Sequence, residues 1–207
     1  QDTAWDGYEE IPAWIMQGYG TMAMEAGEQL KAQGCERPTH IFVQAGVGSL
    51  AGAVVGYFAN LYADNPPTFV VVEAEAAACL YKGAAAGDGD IRIVDGDMQT
   101  IMAGLACGEP NTISWDILKN HVKVFIAAPD WVAANGMRML AAPIKGDASI
   151  TSGESGAAPF GALAAMTTLD EYEQLKKDIG LDENSRVLLF STEGDTDPDR
   201  YKNIVWK

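Results

Sequence analysis

The chain has 207 residues, 48% of them hydrophobic, which is enough to build one large domain around a substantial core. Its 29 acidic residues outnumber the 14 basic ones and give a net charge of −15, so neither nucleic acid nor an anionic membrane surface is an expected partner. No apolar run approaches the roughly 18 residues that a membrane span requires, and the three separated cysteines and two histidines have no metal-binding spacing.

Helices and strands alternate along the chain. Apolar residues at helical spacing, bounded by capping residues, glycines or prolines, predict the helices, whereas β-branched apolar runs predict the strands. In chain order, helices are predicted at residues 13–33, 47–62, 76–85, 100–107, 115–120, 128–140, 152–168 and 171–179. Strands are predicted at residues 40–44, 69–72, 121–126 and 186–190.

This alternation predicts an α/β fold in three layers, a mainly parallel sheet covered by helices on both faces. In such folds, ligands bind beyond the carboxyl ends of the strands. Three glycine-rich or polar segments fall near such ends, at residues 45–49, 152–156 and 191–197. We therefore expect these three segments to line one pocket.

The first of these segments is the most informative. It joins a short buried strand to an apolar helix through a turn that contains Gly46 and Gly48. The first N–H groups of a helix have no intrahelical acceptor, and together with the helix dipole they form an anion site. Since glycine carries no Cβ, we expect both glycines to let a bulky anion, in particular a phosphate, approach the backbone.

The turn by itself leaves several ligands open. Residues 46–51 fit the pattern G-x-G-x-x-A, and Glu73 ends the next strand where a ribose-binding acid belongs, so an NAD(P)-binding domain of the Rossmann type is one interpretation. A non-catalytic module that binds a phosphorylated metabolite is another. Such glycines also serve simply to pack a strand against a helix.

Further segments resemble one family along nearly the whole chain. Those that carry the resemblance are residues 1–5 (QDTAW), 14–19 (WIMQGY), 44–48 (QAGVG), 100–111 (TIMAGLACGEPN), 152–157 (SGESGA) and 191–197 (STEGDTD). Together they resemble the 2,3-diaminopropionate ammonia-lyases, which belong to the fold-type-II, tryptophan-synthase β-like enzymes that depend on pyridoxal 5'-phosphate. The blocks at 101–111 and 191–197 are far more specific than a pair of glycines.

The resemblance implies roles for particular residues. The cofactor phosphate would be bound by the backbone of one loop, made of Ala45, Gly46, Val47, Gly48, Ser49 and Leu50. Ser191, or failing that Thr192, would place a neutral hydroxyl against the pyridine nitrogen and leave it largely unprotonated. Asp2 would be catalytic, as a proton acceptor or as the group that holds the substrate ammonium, and is associated with the D-isomer. Glu154 and Glu193 are expected to shape the surrounding loops.

The same resemblance predicts that an essential group is missing from this chain. Enzymes of this kind form a Schiff base between the cofactor and a lysine. None of the nine lysines lies in a segment that matches the family's cofactor-lysine motif. The chain is therefore expected to be the C-terminal part of the enzyme, with residues 1–10 ending a small-domain region or linker and 11–207 belonging to the large cofactor-binding domain.

The expected parent enzyme acts in amino-acid catabolism. It would convert 2,3-diaminopropionate to pyruvate and ammonia by α,β-elimination, as a cytoplasmic homodimer. Without the Schiff-base lysine, we expect the present chain to be inactive by itself.

Overall fold

Four parallel strands form the centre of the structure, a computed structural model that describes residues 1–207. The strands are β1 (His40–Gln44), β2 (Thr68–Ala74), β3 (Val122–Ala128) and β4 (Val187–Leu189). They lie in the order β3-β2-β1-β4, and β1 pairs in parallel with both of its neighbours. The predicted parallel sheet is confirmed, and β1 ends at the residue that the sequence predicts.

Eight helices surround the sheet. They are α1 (Glu10–Ala32), α2 (Ser49–Leu61), α3 (Cys79–Ala86), α4 (Thr112–His121), α5 (Asp130–Ala141), α6 (Glu154–Thr168), α7 (Glu173–Ile179) and α8 (Pro198–Val205). Short 3-10 turns occur at Glu75–Ala77, Ala103–Leu105 and Asp170–Tyr172. No helix combines the length and the apolar character that crossing a membrane would require.

Two apolar cores, one on each face of the sheet, explain the three layers. Ile41 and Val43 of β1 point into a core shared with α1, α2 and α4. Phe42, which lies between them in sequence, points into the opposite core, shared with α5 and α6. Successive strand residues face opposite sides, so a strand covered on both faces carries consecutive apolar residues, as Ile41, Phe42 and Val43 do, and β1 is buried along its length.

Two predictions of helical structure differ from what is observed. Residues 100–107 form only the 3-10 turn Ala103–Leu105. Asp130 accepts a hydrogen bond from the backbone N–H of Ile101 at 3.2 Å, and a Cβ on Gly104 would lie 2.9 Å from the Ser155 Oγ. Tertiary contacts therefore accompany a path that, apart from this turn, is not helical.

Helix α8 was not predicted from the sequence, although its start carries a recognisable signal. Asp197 accepts a hydrogen bond from the backbone N–H of Arg200 at 3.1 Å, and Pro198 occupies the first turn. An aspartate followed by a proline is a favourable helix start. The helix brings Arg200 next to Glu154, with 3.0 Å between the guanidinium Nε and the carboxylate Oε1.

Candidate functional site

A cleft of about 320 Å³ opens at the carboxyl edge of the sheet, where β1 and β4 end and α2 and α6 begin. Its walls contain Asp2, Tyr19, Gln44, Ala45, Gly46, Val47, Gly48, Ser49, Leu50, Gly104, Leu105, Cys107, Ser155, Thr192 and Glu193. The three segments that were expected to converge, 45–49, 152–156 and 191–197, therefore do meet at one site. No lysine or arginine lines the cleft.

Unpaired polar atoms distinguish this cleft from a wider groove of about 620 Å³ between α6, α7 and β4. Only two buried side-chain polar atoms in the molecule lack a hydrogen-bond partner, namely Gln44 Oε1 and Ser155 Oγ. Both residues line the cleft, and they are only 2% and 6% exposed. Since an unpaired buried polar group is costly, these atoms indicate where a polar ligand belongs.

One end of the cleft is built from backbone. The N–H groups of residues 46–51 donate no hydrogen bond within the protein, and the first paired donor is Gly52, which bonds the Gly48 carbonyl at 2.7 Å. These six consecutive donors lie at the start of α2, where the helix dipole is positive. In the absence of a basic side chain, the backbone alone makes this end attractive to an anion.

Gly48 is required for a reason other than the one expected from the sequence. Its φ is +99°, a conformation that favours glycine, and a Cβ would lie 2.8 Å from Ser114 Oγ and 3.2 Å from Leu118 Cδ1. Those atoms belong to α4. The expectation that a side chain at this position would occupy the anion space was therefore wrong, because the side chain would enter the core beneath the turn.

Gly46 does face the cleft. A Cβ here would lie 3.3 Å from the Gly104 carbonyl oxygen and 3.4 Å from the Cys107 Cβ. Both neighbours line the same cleft. At this position the absence of a side chain leaves space between the turn and the wall formed by Gly104 and Cys107.

The opposite end is built from side chains. Gln44 Nε2 donates a hydrogen bond to Thr192 Oγ1 at 2.9 Å, and both residues line the cleft. Ser191 does not line it: its hydroxyl pairs with that of Ser152 at 2.7 Å, and it lies in a separate depression beside α1. Of the two hydroxyl candidates, Thr192 is therefore the one that faces the cleft.

Asp2 is tied into the site through its backbone. Its carbonyl oxygen accepts hydrogen bonds from Ser49 Oγ at 2.8 Å and from Asn111 Nδ2 at 2.5 Å. Burial raises the pKa of the Tyr19 phenol and of the Cys107 thiol, and the negative charge of Asp2 raises both pKa values further. Both groups therefore remain protonated and neutral in the cleft near neutral pH.

Glu193 and Glu154 occupy supporting positions, as expected from the sequence. Glu193 Oε2 accepts hydrogen bonds from the backbone N–H of Ser155 at 2.6 Å and of Gly156 at 3.2 Å. A carboxylate at this point satisfies orphan donors in the first turn of α6. The side chain thereby fixes the helix start that presents Ser155 to the cleft, while Glu154 pairs with Arg200 outside it.

Glu73 lies away from the cleft, which removes the acid on which the dinucleotide interpretation depended. It is 1% exposed, and its two oxygens accept hydrogen bonds from the backbone N–H of Leu80 at 2.8 Å and of Tyr81 at 2.7 Å. Burial raises its pKa to about 7, although these hydrogen bonds act in the opposite direction. The carboxylate is thus engaged at the start of α3 and inaccessible to a ribose.

Several wall residues were not singled out individually as site residues from the sequence, namely Tyr19, Gln44, Gly104, Cys107 and Ser155. All of them lie inside the segments that carry the family resemblance. Gln44 also gave a local signal, because it is a polar residue that directly follows the apolar run 41–43 in a buried strand. The cleft positions of the other four depend on how distant segments meet.

Comparison with known proteins agrees with this geometry. A family model described as "Pyridoxal-phosphate dependent enzyme" matches residues 5–192. The diaminopropionate ammonia-lyase of Salmonella typhimurium is 54% identical over all 207 residues. The chain spans about half the length of the curated relatives that it matches, 51% in this case.

Two solved structures have closely similar folds. A crystal structure of the Escherichia coli diaminopropionate ammonia-lyase with an aminoacrylate–PLP azomethine reaction intermediate superposes with a TM-score of 0.91 at 47% identity, covering 100% of this chain and 51% of that one. The same enzyme in complex with D-serine gives a TM-score of 0.90 at 46% identity, covering 100% of this chain and 50% of that one.

Proposed function

This chain belongs to the pyridoxal-phosphate-dependent enzymes, and we propose that it forms the C-terminal half of an ammonia-lyase that acts on 2,3-diaminopropionate. Its resemblance to the Salmonella lyase runs from end to end while covering 51% of that protein. The proposal rests on the row of unpaired backbone N–H groups at residues 46–50. These residues line the cleft together with the two residues that hold the unpaired buried side-chain atoms.

The residues of the cleft fit pyridoxal phosphate at both ends. The phosphate dianion suits the N–H groups at the start of α2, so the loop Ala45 to Leu50 would hold it as the sequence predicts. At the other end, Thr192 presents a hydroxyl beside Gln44, where a pyridine nitrogen can be recognised without a charged partner. Ser191 becomes the second candidate, because its hydroxyl is paired with Ser152.

The bound cofactor supplies an electron-withdrawing ring, which makes the bonds at the α-carbon of an amino acid easier to break. The reaction consumes water and yields pyruvate and ammonia, one ammonia from each amino group. Asp2 offers the only carboxylate in the cleft besides Glu193, whose Oε2 is engaged at α6. Asp2 is thus assigned to hold the substrate ammonium or to accept a proton from the substrate.

Asp2 also bears on substrate stereochemistry. The related E. coli enzyme has been crystallised with D-serine, so that relative accommodates a D-amino acid. In this proposal Asp2 acts on one face of the substrate α-carbon and serves the D-isomer. Tyr19 and Cys107, kept neutral by burial and by the charge of Asp2, complete that wall as hydrogen-bonding groups.

The lysine that binds the cofactor covalently is assigned to the part of the enzyme outside this chain. None of the nine lysines lines the cleft, and the matched relatives are about twice as long. In this proposal residues 1–10 connect to the smaller domain and residues 11–207 belong to the larger one. The complete enzyme is proposed to be a cytoplasmic homodimer; the three free cysteines of this chain suit a reducing compartment.

The proposal is tested with the full-length protein. Purified protein should show cofactor absorbance and should release ammonia and pyruvate from 2,3-diaminopropionate, while the 207-residue chain by itself should release neither. Ammonia release from serine or threonine only would disprove the substrate assignment and leave the cofactor assignment standing. Saturable binding of NAD(H) with no binding of pyridoxal phosphate would overturn the proposal entirely.

A further inference from the structure

Gln44 is an unusual residue for its place in the fold. It ends β1, the central strand whose Ile41, Phe42 and Val43 are all apolar and fully buried, and it is itself only 2% exposed. Burying an amide is unfavourable unless its polar atoms are paired. Here Nε2 is paired with Thr192 Oγ1 at 2.9 Å, whereas Oε1 is buried without a partner in a residue that lines the cleft. Packing alone therefore does not account for this residue.

The hydrogen bond from Gln44 determines what Thr192 can do. A hydroxyl has one proton to donate and two lone pairs to accept with. One lone pair of Thr192 Oγ1 receives the Gln44 amide, and Oγ1 makes no other hydrogen bond in the protein. A hydroxyl that already accepts becomes a better donor, because neighbouring hydrogen bonds polarise one another. Thr192 is thus prepared to donate a hydrogen bond to an acceptor in the cleft.

We propose that Gln44 is a positioning residue that fixes the Thr192 hydroxyl as a donor to the ring nitrogen of pyridoxal phosphate. This inference rests on the proposed function, and it adds a residue that acts through Thr192. A ring nitrogen that accepts a hydrogen bond from a neutral hydroxyl stays unprotonated, because the hydroxyl keeps its proton. Gln44, by supplying the donor that orients that hydroxyl, sets the protonation state of the ring.

Two substitutions at Gln44 separate this role from simple packing. Gln44→Glu keeps the shape and replaces the amide donor by a carboxylate that only accepts, so the Thr192 proton turns towards residue 44 and away from the cleft. Gln44→Met keeps similar length and removes both polar atoms. At Thr192 the matched pair is Thr192→Ser, which retains the hydroxyl, and Thr192→Val, which retains the shape without it.

The measurement is the affinity of the full-length apoprotein for pyridoxal phosphate relative to its 1-deaza analogue, in which a C–H group replaces the ring nitrogen. Turnover is not needed, and contacts to the phosphate cancel in the ratio. Wild-type protein should prefer pyridoxal phosphate by roughly three- to tenfold, the size of one net hydrogen bond. Thr192→Ser should keep that preference. The ratio of the two affinities should fall close to one in Thr192→Val, Gln44→Glu and Gln44→Met.

A double substitution tests whether Gln44 acts through Thr192. In the Thr192→Val background, Gln44→Met should change the ratio no further. A second readout is the absorbance of the bound cofactor against pH, in which Gln44→Glu should shift the ring nitrogen towards the protonated form. If Gln44→Glu fails to fold, the same affinity ratio measured for the neutral Gln44→Met variant tests the role of Gln44.

Failure of the inference and failure of the proposed function give different results. An unchanged preference in the Gln44 variants, or no preference in the wild type, overturns the role of Gln44 even though both probes bind. If neither probe binds to the wild-type protein, the proposed function itself is wrong.

Discussion

The two ends of the cleft present different chemical groups to a ligand. At the end formed by residues 46–51, the groups offered to a ligand are backbone N–H donors, and the side chains beneath them belong to the core. At the end formed by Gln44, Ser155 and Thr192, the groups offered are side-chain oxygens and hydroxyls. Changes at the backbone end should therefore act mainly on stability, and changes at the side-chain end mainly on ligand recognition.

The largest effect is expected for Gly48→Val at the backbone end. A side chain there combines a strained φ of +99° with a contact of 2.8 Å to Ser114 Oγ. The free energy of unfolding should fall by about 3–5 kcal/mol, as measured by denaturant unfolding. Gly34→Val is the control, because Gly34 also has a positive φ, of +77°, but has no atom within 4 Å of its Cβ position. Equal losses at both glycines would show that close packing beneath the turn is unimportant.

The second effect concerns Glu73, which holds the start of α3 next to the backbone end. Its pKa in the folded protein is raised from 4.5 to about 7. Between these pH values the folded state binds more protons than the unfolded state. The protonated Glu73 side chain therefore contributes fully to the stability of the fold below pH 4.5, and this contribution is lost as the pH rises through 7.

Replacing Glu73 by Gln should remove that dependence on pH. In the wild-type protein the contribution of Glu73 to the free energy of unfolding should fall by at most about 3 kcal/mol between pH 4.5 and 7.5. Chemical unfolding at a series of pH values measures it, with Glu183→Gln, an exposed acid, as the control. Parallel curves for the wild type and Glu73→Gln would contradict this assignment.

A smaller effect is expected for Glu193→Ala at the side-chain end. Removing the carboxylate leaves two N–H groups of α6 without their acceptor, which should cost about 1–2 kcal/mol. The full-length protein should also bind pyridoxal phosphate less tightly, because Ser155 is no longer held in place. Glu183→Ala should change neither quantity. Weaker binding with unaltered stability would mean that Glu193 contacts the ligand directly.

The smallest effect on stability is expected for Asp2→Asn, since the anchoring contacts of Asp2 are made by its backbone carbonyl. Loss of the charge should lower the pKa of the Cys107 thiol, because the carboxylate disfavours the thiolate. The rate of alkylation at Cys107, resolved by peptide mass spectrometry over a range of pH, measures this, with Cys35 as the internal control. In the full-length protein, turnover should fall more for one enantiomer of the substrate; equal losses would argue against a stereospecific role.

Most of the fold was predictable because its strands are covered on both faces. The apolar runs at 40–44 and 69–72 predicted β1 and the middle of β2, since only a buried strand is apolar on both sides. The segment 100–107 misled the prediction because its apolar residues suit a helix, yet contacts with Asp130 and Ser155 hold it otherwise. Helix α8 had a local signal in Asp197 and Pro198 that went unused.

In the candidate site, too, some features follow from the local sequence and others depend on contacts between distant segments. The sequence by itself determined the row of free backbone N–H groups, because a strand, two glycines and a helix start place them together over a few neighbouring residues. Its family segments also determined the cofactor class, which the match over residues 5–192 bears out. Only the tertiary structure decided that Thr192 faces the cleft in place of Ser191, that a Gly48 side chain would enter the core, and that Gln44 reaches Thr192. These outcomes depend on the directions of side chains from segments more than a hundred residues apart, or from different helices, and a local pattern carries no information about them.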